Sequence, residues 1–202
     1  MKKSVGIFGG TFDPVHVGHL EIAQNVIDKG RLDKVIFLPN ANPPHKDISQ
    51  FTDFSHRYNM LKIATEDNPL FEVSDYERDA TAIHYTVDTM RYFRSLYGKD
   101  NTVLIVGADS LDYIHEWKDG ADLIKENKIL VINRHFRNGY SLLENINKIK
   151  ALGGNVEHIE MDFQNISSSD IREAVGKNLF SESMTTKKVW EYILKNNLYC
   201  KG

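Results

Sequence analysis

The sequence predicts an α/β fold, a doubly wound parallel sheet with helices on both faces. Three observations predict it. Short apolar runs alternate along the chain with longer segments of helical period. The runs are apolar on both faces, as strands buried inside a parallel sheet must be. Several of them end in a turn or polar residue, at Gly9, Pro39, Gly107 and Asn133, and the C-terminal ends of such strands are where open sheets bind ligands.

Val5-Gly6-Ile7-Phe8 reads as the first strand, closing on Gly9-Gly10, where a chain without Cβ atoms turns tightly and approaches a ligand closely. Leu20, Ala23, Val26 and Ile27 share one helix face, with Lys29-Gly30 as the stop signal. Residues 35–38 form a second strand, halted by Pro39. The polar stretch 39–52 has no pattern of its own, and long loops in compact domains tend to bind ligands or move. Phe54, Tyr58, Leu61 and Thr65 line a helix that must end before Pro69. A brief strand follows at 71–74, then a helix marked by Val87, Met90, Phe93 and Tyr97 that closes on Gly98. Residues 103–106 and 129–132 are the clearest buried strands. Leu142, Ile146, Ile149 and Leu152 predict a helix ending at Gly153-Gly154, before a shorter strand at 156–161. Two helices close the chain, one from about Ser168 and one over about 185–196.

At 202 residues the chain suits one domain, or one with an elaboration. Lys and Arg number 25 against 28 Asp and Glu, a net charge of −3, which disfavours a nucleic-acid partner because polyanion binding needs clustered positive charge. The 41% hydrophobic content suffices for a sizeable core. Cys200 is the one cysteine, so no intrachain disulfide forms and a reducing, cytoplasmic setting is expected. No apolar run approaches the length of a membrane span. Lys2 and Lys3 faintly suggest a signal peptide, but Gly9, Gly10 and Asp13-Pro14 interrupt the apolar run at once.

Chemistry concentrates in two segments. In the first, 9–19, His16 and His19 lie three apart at a helix opening, where free N–H groups and the positive dipole end suit a phosphate. Alone, that pair also reads as a tight turn with two surface histidines, and a zinc site would need further ligands that are not evident. The second segment is Ile166-Ser167-Ser168-Ser169-Asp170-Ile171-Arg172. Serines at a helix start cap it and leave N–H groups for phosphate, and Arg172 supplies a forked cation one turn in. Alone, it is a capped helix with a surface arginine.

Together the two segments resemble the nucleotidyltransferase superfamily of adenylyltransferases, whose hallmark joins a Gly-rich strand end and a His-x-Gly-His helix opening to a distant Ile-Ser-Ser segment. Three more stretches resemble its bacterial nicotinate-nucleotide adenylyltransferase branch. They are the Pro-Asn-Ala-Asn-Pro-Pro-His-Lys run at 39–46, Tyr85-Thr86-Val87-Asp88-Thr89, and Gly107-Ala108-Asp109-Ser110 with Trp117. The resemblance covers essentially the whole chain in order, and departs from the branch at Ile83-His84 and His135-Phe136.

The resemblance implies a Rossmann-like sheet in a single nucleotidyltransferase domain over 1–202, with a helical segment from about 166 packed on it. It implies transfer of the adenylyl group of ATP to nicotinate mononucleotide, giving nicotinate adenine dinucleotide and pyrophosphate in NAD biosynthesis. His16, His19 and Arg172 would serve catalysis at the phosphates. Gly9, Gly10, Thr11, Phe12, Gly107, Asp109, Ser168 and Ser169 would bind ATP. Asn40, Lys46, Tyr85, Thr86 and Trp117 would bind the mononucleotide, with Trp117 stacked on the ring and Thr86 on its carboxylate. Taken alone, a tryptophan is more readily a core residue, Asp109 as readily a helix cap, and Lys46 in its Pro-rich loop simply a solvated side chain. Mg²⁺ would ride on the ATP phosphates, with no metal site built by the protein. The expected partners are the two substrates, with no nucleic acid and no membrane, and a homo-oligomer is left open. Rival readings are transfer to nicotinamide mononucleotide or phosphopantetheine, and a non-catalytic nucleotide sensor.

Overall fold

The computed structural model describes residues 4–29, 31–42, 51–134, 139–162 and 166–200. Six strands make one sheet: β1 Val5–Gly10, β2 Lys34–Pro39, β3 Phe71–Val73, β4 Thr102–Gly107, β5 Lys128–Arg134 and β6 Asn155–Met161. Their order is β3-β2-β1-β4-β5-β6 and every neighbouring pair is parallel. The chain therefore winds outward from β1 through β2 and β3, then returns to the other side of β1 with β4. That reversal makes the crevice beyond β1 and β4 the switch point of a doubly wound fold.

The pleat sorts the strand residues onto two faces. Ile7, Ile36, Leu104, Val106, Ile129 and Val131 pack on one side, against α3 Thr86–Tyr97, α5 Gly120–Glu126 and α6 Gly139–Ala151. Phe8, Val35, Phe37, Ile105, Leu130 and Ile132 pack on the other, against α1 Val17–Asp28, α2 Phe54–Thr65, α7 Ser168–Gly176 and α8 Lys187–Lys195. Each large apolar side chain so buried contributes about 1.5–3 kcal/mol. α7 and α8 share their core with β1, which ties the end of the chain to its beginning.

Several boundaries differ from the sequence expectation. β2 runs through Pro39, which stands opposite Gly10 at the strand's last position, where a missing N–H is tolerated. α2 buries Arg57, Met60, Leu61 and Thr65, while Phe54 and Tyr58 are only half-buried. Between β4 and β5 lie α4 Ala108–Leu111, a 3₁₀ turn at Ile114–Glu116, and α5. They were not anticipated, because Leu111, Ile114, Leu123 and Ile124 fall in elements too short to display a helical period. The last helix starts at Lys187, with the Thr186 side chain accepting from the Val189 N–H at 3.3 Å. Leu152 lies beyond α6 and is exposed. Among the described residues, no helix is long and apolar enough to cross a membrane.

Candidate functional site

Beyond the ends of β1 and β4 the crevice divides into two adjoining cavities that share Phe8, Val106 and Gly107. The first, about 290 Å³, is walled by Gly9 and Gly10 of β1, Thr11 just after it, Asn40 after β2, and Glu77. Tyr85, Thr86 and Thr89 at the start of α3 line it too, with Trp117 and Lys118. The second, about 280 Å³, is lined by His16, His19, Asp109, Ile132 and Asn133. Two of the three residues predicted for catalysis thus reach one cavity, and four of the five predicted for the mononucleotide reach the other. Lys46, the fifth, lies outside the described residues.

α1 opens with its two histidines locked together. The backbone N–H of His16 donates to His19 Nδ1 at 3.2 Å, and the rings stack with centroids 3.5 Å apart and planes 23° from parallel. Because Nδ1 accepts, the proton of neutral His19 sits on Nε2. The other side of the His19 ring meets the edge of Phe12, 4.8 Å between centroids. Phe12 lines neither cavity. It holds a left-handed backbone, φ 48°, which strains a bulky residue by about 1–3 kcal/mol. Burial of its ring against Phe8, Phe37 and His19 offsets that strain.

The end of the chain grips the loop that precedes α1. Ser168 Oγ donates to the Pro14 carbonyl at 2.8 Å and Arg172 Nη1 to the Asp13 carbonyl at 2.7 Å. Thr185 Oγ1 donates to the Val15 carbonyl at 3.0 Å, and the Tyr199 hydroxyl to Asp13 Oδ1 at 2.6 Å. Burial, with the Asp13 carboxylate alongside, holds the Tyr199 phenol well above its usual range. Arg172 Nη2 donates to Ser169 Oγ at 3.0 Å, and Arg172 lines a separate pocket with Glu173, Lys177 and Tyr199. Ser168 and Arg172 therefore meet the first motif through its backbone, Ser169 meets only Arg172 among these bonds, and none of the three lines either cavity. The cap of α7 is Ser167, whose Oγ accepts from the Asp170 N–H at 3.2 Å while its own N–H donates to Asp170 Oδ2 at 2.8 Å.

Asp109 is exposed at the start of α4, its carboxylate folded back over Gly107. A Cβ on Gly107 would come within 2.5 Å of Asp109 Oδ1. Trp117 is half-buried against the α3 side of the core with its ring at the cavity, while the second tryptophan, Trp190, is buried against Phe180. Asn40 Oδ1 is buried with no hydrogen-bond partner among the described residues, a polar atom left for a ligand in the first cavity.

Two residues were missed by sequence reasoning. Arg57, 1% exposed, donates Nε to the Thr52 carbonyl at 2.8 Å and Nη1 to those of Thr11 at 2.7 Å and Asn40 at 2.8 Å. It joins the ends of β1 and β2 to the start of α2. Burial pulls its guanidinium below the usual range, against the opposing pull of Asp13. The signal was available, since Arg57 stands between Phe54 and Leu61 on the expected buried face. Glu77 is 5% exposed and accepts from Thr89 Oγ1 at 2.5 Å. Burial pushes its carboxyl up to about 7, although the Thr89 bond pulls the other way. Nothing in the pattern around Glu77 marks it as buried.

A family model for cytidylyltransferase-like proteins matches residues 7–174. Two relatives carry the name "Probable nicotinate-nucleotide adenylyltransferase". The one from Thermoanaerobacter sp. (strain X514) is 42% identical over 199 residues, covering 98% of this chain and 94% of its own. The one from Caldicellulosiruptor bescii is 36% identical over 196 residues, covering 96% and 98%. Among solved structures, Plasmodium falciparum nicotinic acid mononucleotide adenylyltransferase complexed with NaAD superposes with a TM-score of 0.77 at 22% identity. The superposition covers 98% of this chain and 97% of that one, and shows the same fold. With a match running from β1 into α7, and relatives alike along nearly their whole length, the chain belongs to the cytidylyltransferase-like family and, within it, to the nicotinate-nucleotide adenylyltransferases.

Proposed function

We propose that the protein transfers the adenylyl group of Mg-ATP to nicotinate mononucleotide, releasing pyrophosphate and nicotinate adenine dinucleotide. One observation carries this reading: two cavities of different chemistry meet at Gly107 on the switch point. The first offers a flat indole, hydroxyls and an orphaned amide, which suit a pyridine nucleotide. The second offers two stacked imidazoles at the opening of a twelve-residue helix, which suits phosphates.

The mononucleotide phosphate is already ionised at neutral pH, so the reaction needs no protein nucleophile and no general base. What it needs is alignment for in-line attack on the α-phosphorus, with positive charge where pyrophosphate departs. In this reading Trp117 stacks on the pyridine, Tyr85 and Thr86 hold its carboxylate, and Asn40 and Lys46 meet the mononucleotide phosphate. His19 presents Nε2–H to the triphosphate beside His16. Gly9, Gly10 and Thr11 border the joined nucleotides, and Gly107 and Asp109 contact the adenosine ribose. Phe12 contributes by holding the His19 ring. Ser168 and Arg172 act on the phosphate site through the loop they grip, and Ser169 accepts from the Arg172 guanidinium. Mg²⁺ would enter with ATP, held by the substrate and not by a protein cage, and would supply positive charge at the phosphates beside His16 and His19. The lone exposed Cys200 fits a reducing cytoplasm.

The test is pyrophosphate release from Mg-ATP with nicotinate mononucleotide, run beside nicotinamide mononucleotide and phosphopantetheine. Strong preference for the acid is the expected result. Turnover only with another acceptor would discard the reading of the first cavity, and ATP binding without release from any acceptor would favour a nucleotide sensor.

A further inference from the structure

Glu77 has no part in the reaction outlined above, yet it lines the first cavity and is almost wholly buried. Glu77 is held at its side chain and at its backbone. Oε1 accepts from Thr89 Oγ1, and the Glu77 carbonyl accepts from the Ala41 N–H at 3.1 Å, next to Asn40. Thr89 follows Thr86 by three residues on α3, which puts the two hydroxyls on one helix face about 4.5 Å apart along the axis. A carboxyl group is thereby held one helical turn from the residue assigned to the pyridine carboxylate.

We propose that Glu77 determines specificity: carrying its proton it admits the pyridine carboxylate, and ionised it repels that carboxylate, so preference for acid over amide falls as pH rises. This rests on the reading of the first cavity as the nicotinate mononucleotide site. A protonated Glu77 has an O–H to donate, which complements a carboxylate acceptor, whereas two ionised carboxylates in one low-dielectric cavity oppose each other. An amide substituent has both a donor and an acceptor and meets either state of Glu77.

Among the described neighbours the Tyr76 phenol interacts electrostatically with Glu77, and burial pushes that phenol up, so it stays neutral where Glu77 titrates. The Glu77 carboxyl meets Thr89 of α3 and its backbone meets Ala41 after β2, while Tyr85 and Asn40 line the same cavity. Trp117 and Lys118 line the same cavity, and Tyr76 and Arg78 flank it in sequence. The two cations are engaged elsewhere, Lys118 with Asp119 at 3.4 Å and Arg78 with Asp75 at 3.4 Å. Burial, having raised the Glu77 carboxyl to about 7, sets its change of charge within the range an enzyme assay covers.

The experiment measures kcat/KM for nicotinate and nicotinamide mononucleotides from pH 6 to 8 at saturating Mg-ATP. Titration of the phosphate, common to both substrates, cancels in the ratio. A group centred near 7 goes from about ten-elevenths to about one-eleventh protonated over that span, so the acid-to-amide ratio should fall about tenfold. Glu77→Gln should hold the low-pH ratio throughout. Thr89→Val removes a bond that favours the ionised form, and should move the midpoint to higher pH. A flat ratio in the unaltered protein overturns the proposal, as does a Glu77→Gln variant that keeps the slope. Should Glu77→Gln fail to fold, an unmoved midpoint in Thr89→Val overturns it instead. Turnover of both substrates with a flat ratio would sink this proposal alone, whereas no turnover of either would sink the reading of the cavity and this proposal with it.

Discussion

Arg57 holds three backbone carbonyls from three segments while burying its charge beside Asp13. Removing a buried cation that satisfies buried acceptors is among the costlier single changes. Arg57→Met should therefore lower stability by about 3–5 kcal/mol in urea unfolding, and a loss under 1 kcal/mol would contradict the role given to the guanidinium. His19 behaves differently, because in the proposed reaction its imidazole serves the phosphates while its ring packs on His16 and Phe12. His19→Ala should lower kcat about 10²–10³-fold while costing folding only about 1 kcal/mol from lost ring packing. Near-normal turnover would remove His19 from the phosphate site. Glu77 links residue chemistry to stability. Its folded value is raised from 4.5 to about 7, so the unfolded chain ionises first. The stabilisation is full below about 4.5 and is lost as pH climbs through about 7, up to about 3 kcal/mol. Glu77→Gln should flatten stability over that window, as thermal melts at pH 4.5 and 8 would register.

At the scale of elements, the strands were legible as short runs apolar on both faces, and the longer helices because their apolar residues repeat at the helix period. Val87, Met90 and Phe93 are buried as the α3 pattern requires, and Gly98 ends that helix at φ 96°, a conformation few other residues tolerate. α4 and α5 were not legible, since each presents too few turns for a period to emerge. In the closing segment the sequence pointed to capping serines, and the geometry selects Ser167. Ser167→Ala should cost about 1 kcal/mol, read as a shift in the unfolding midpoint. Thr185 sets a second test of the same segment. Its hydroxyl is the partner of the buried Val15 carbonyl, so Thr185→Val should cost about 1–3 kcal/mol by leaving that acceptor unpaired.

For the whole molecule, sequence pattern announced a parallel sheet but not its strand order, because no local residue encodes which strand lies beside β1. The order emerges from burying both faces at once, and it alone brings Gly9, Gly107, His19 and Trp117 to one crevice. The candidate site was correspondingly legible in its two motifs and opaque in what joins them. No spacing rule connects Glu77 to Thr89, or Arg57 to the carbonyls of Thr11 and Asn40, since those contacts exist only once the strands are ordered. In the proposed reaction one nucleotide fills each cavity and their junction lies over Gly107. The most direct measurement is a crystal structure with nicotinate adenine dinucleotide bound. The expected result is the pyridine ring on Trp117, the phosphates beside His16 and His19, and the chain of the product crossing at Gly107. A dinucleotide folded into one cavity, or lying away from both histidines, would contradict it.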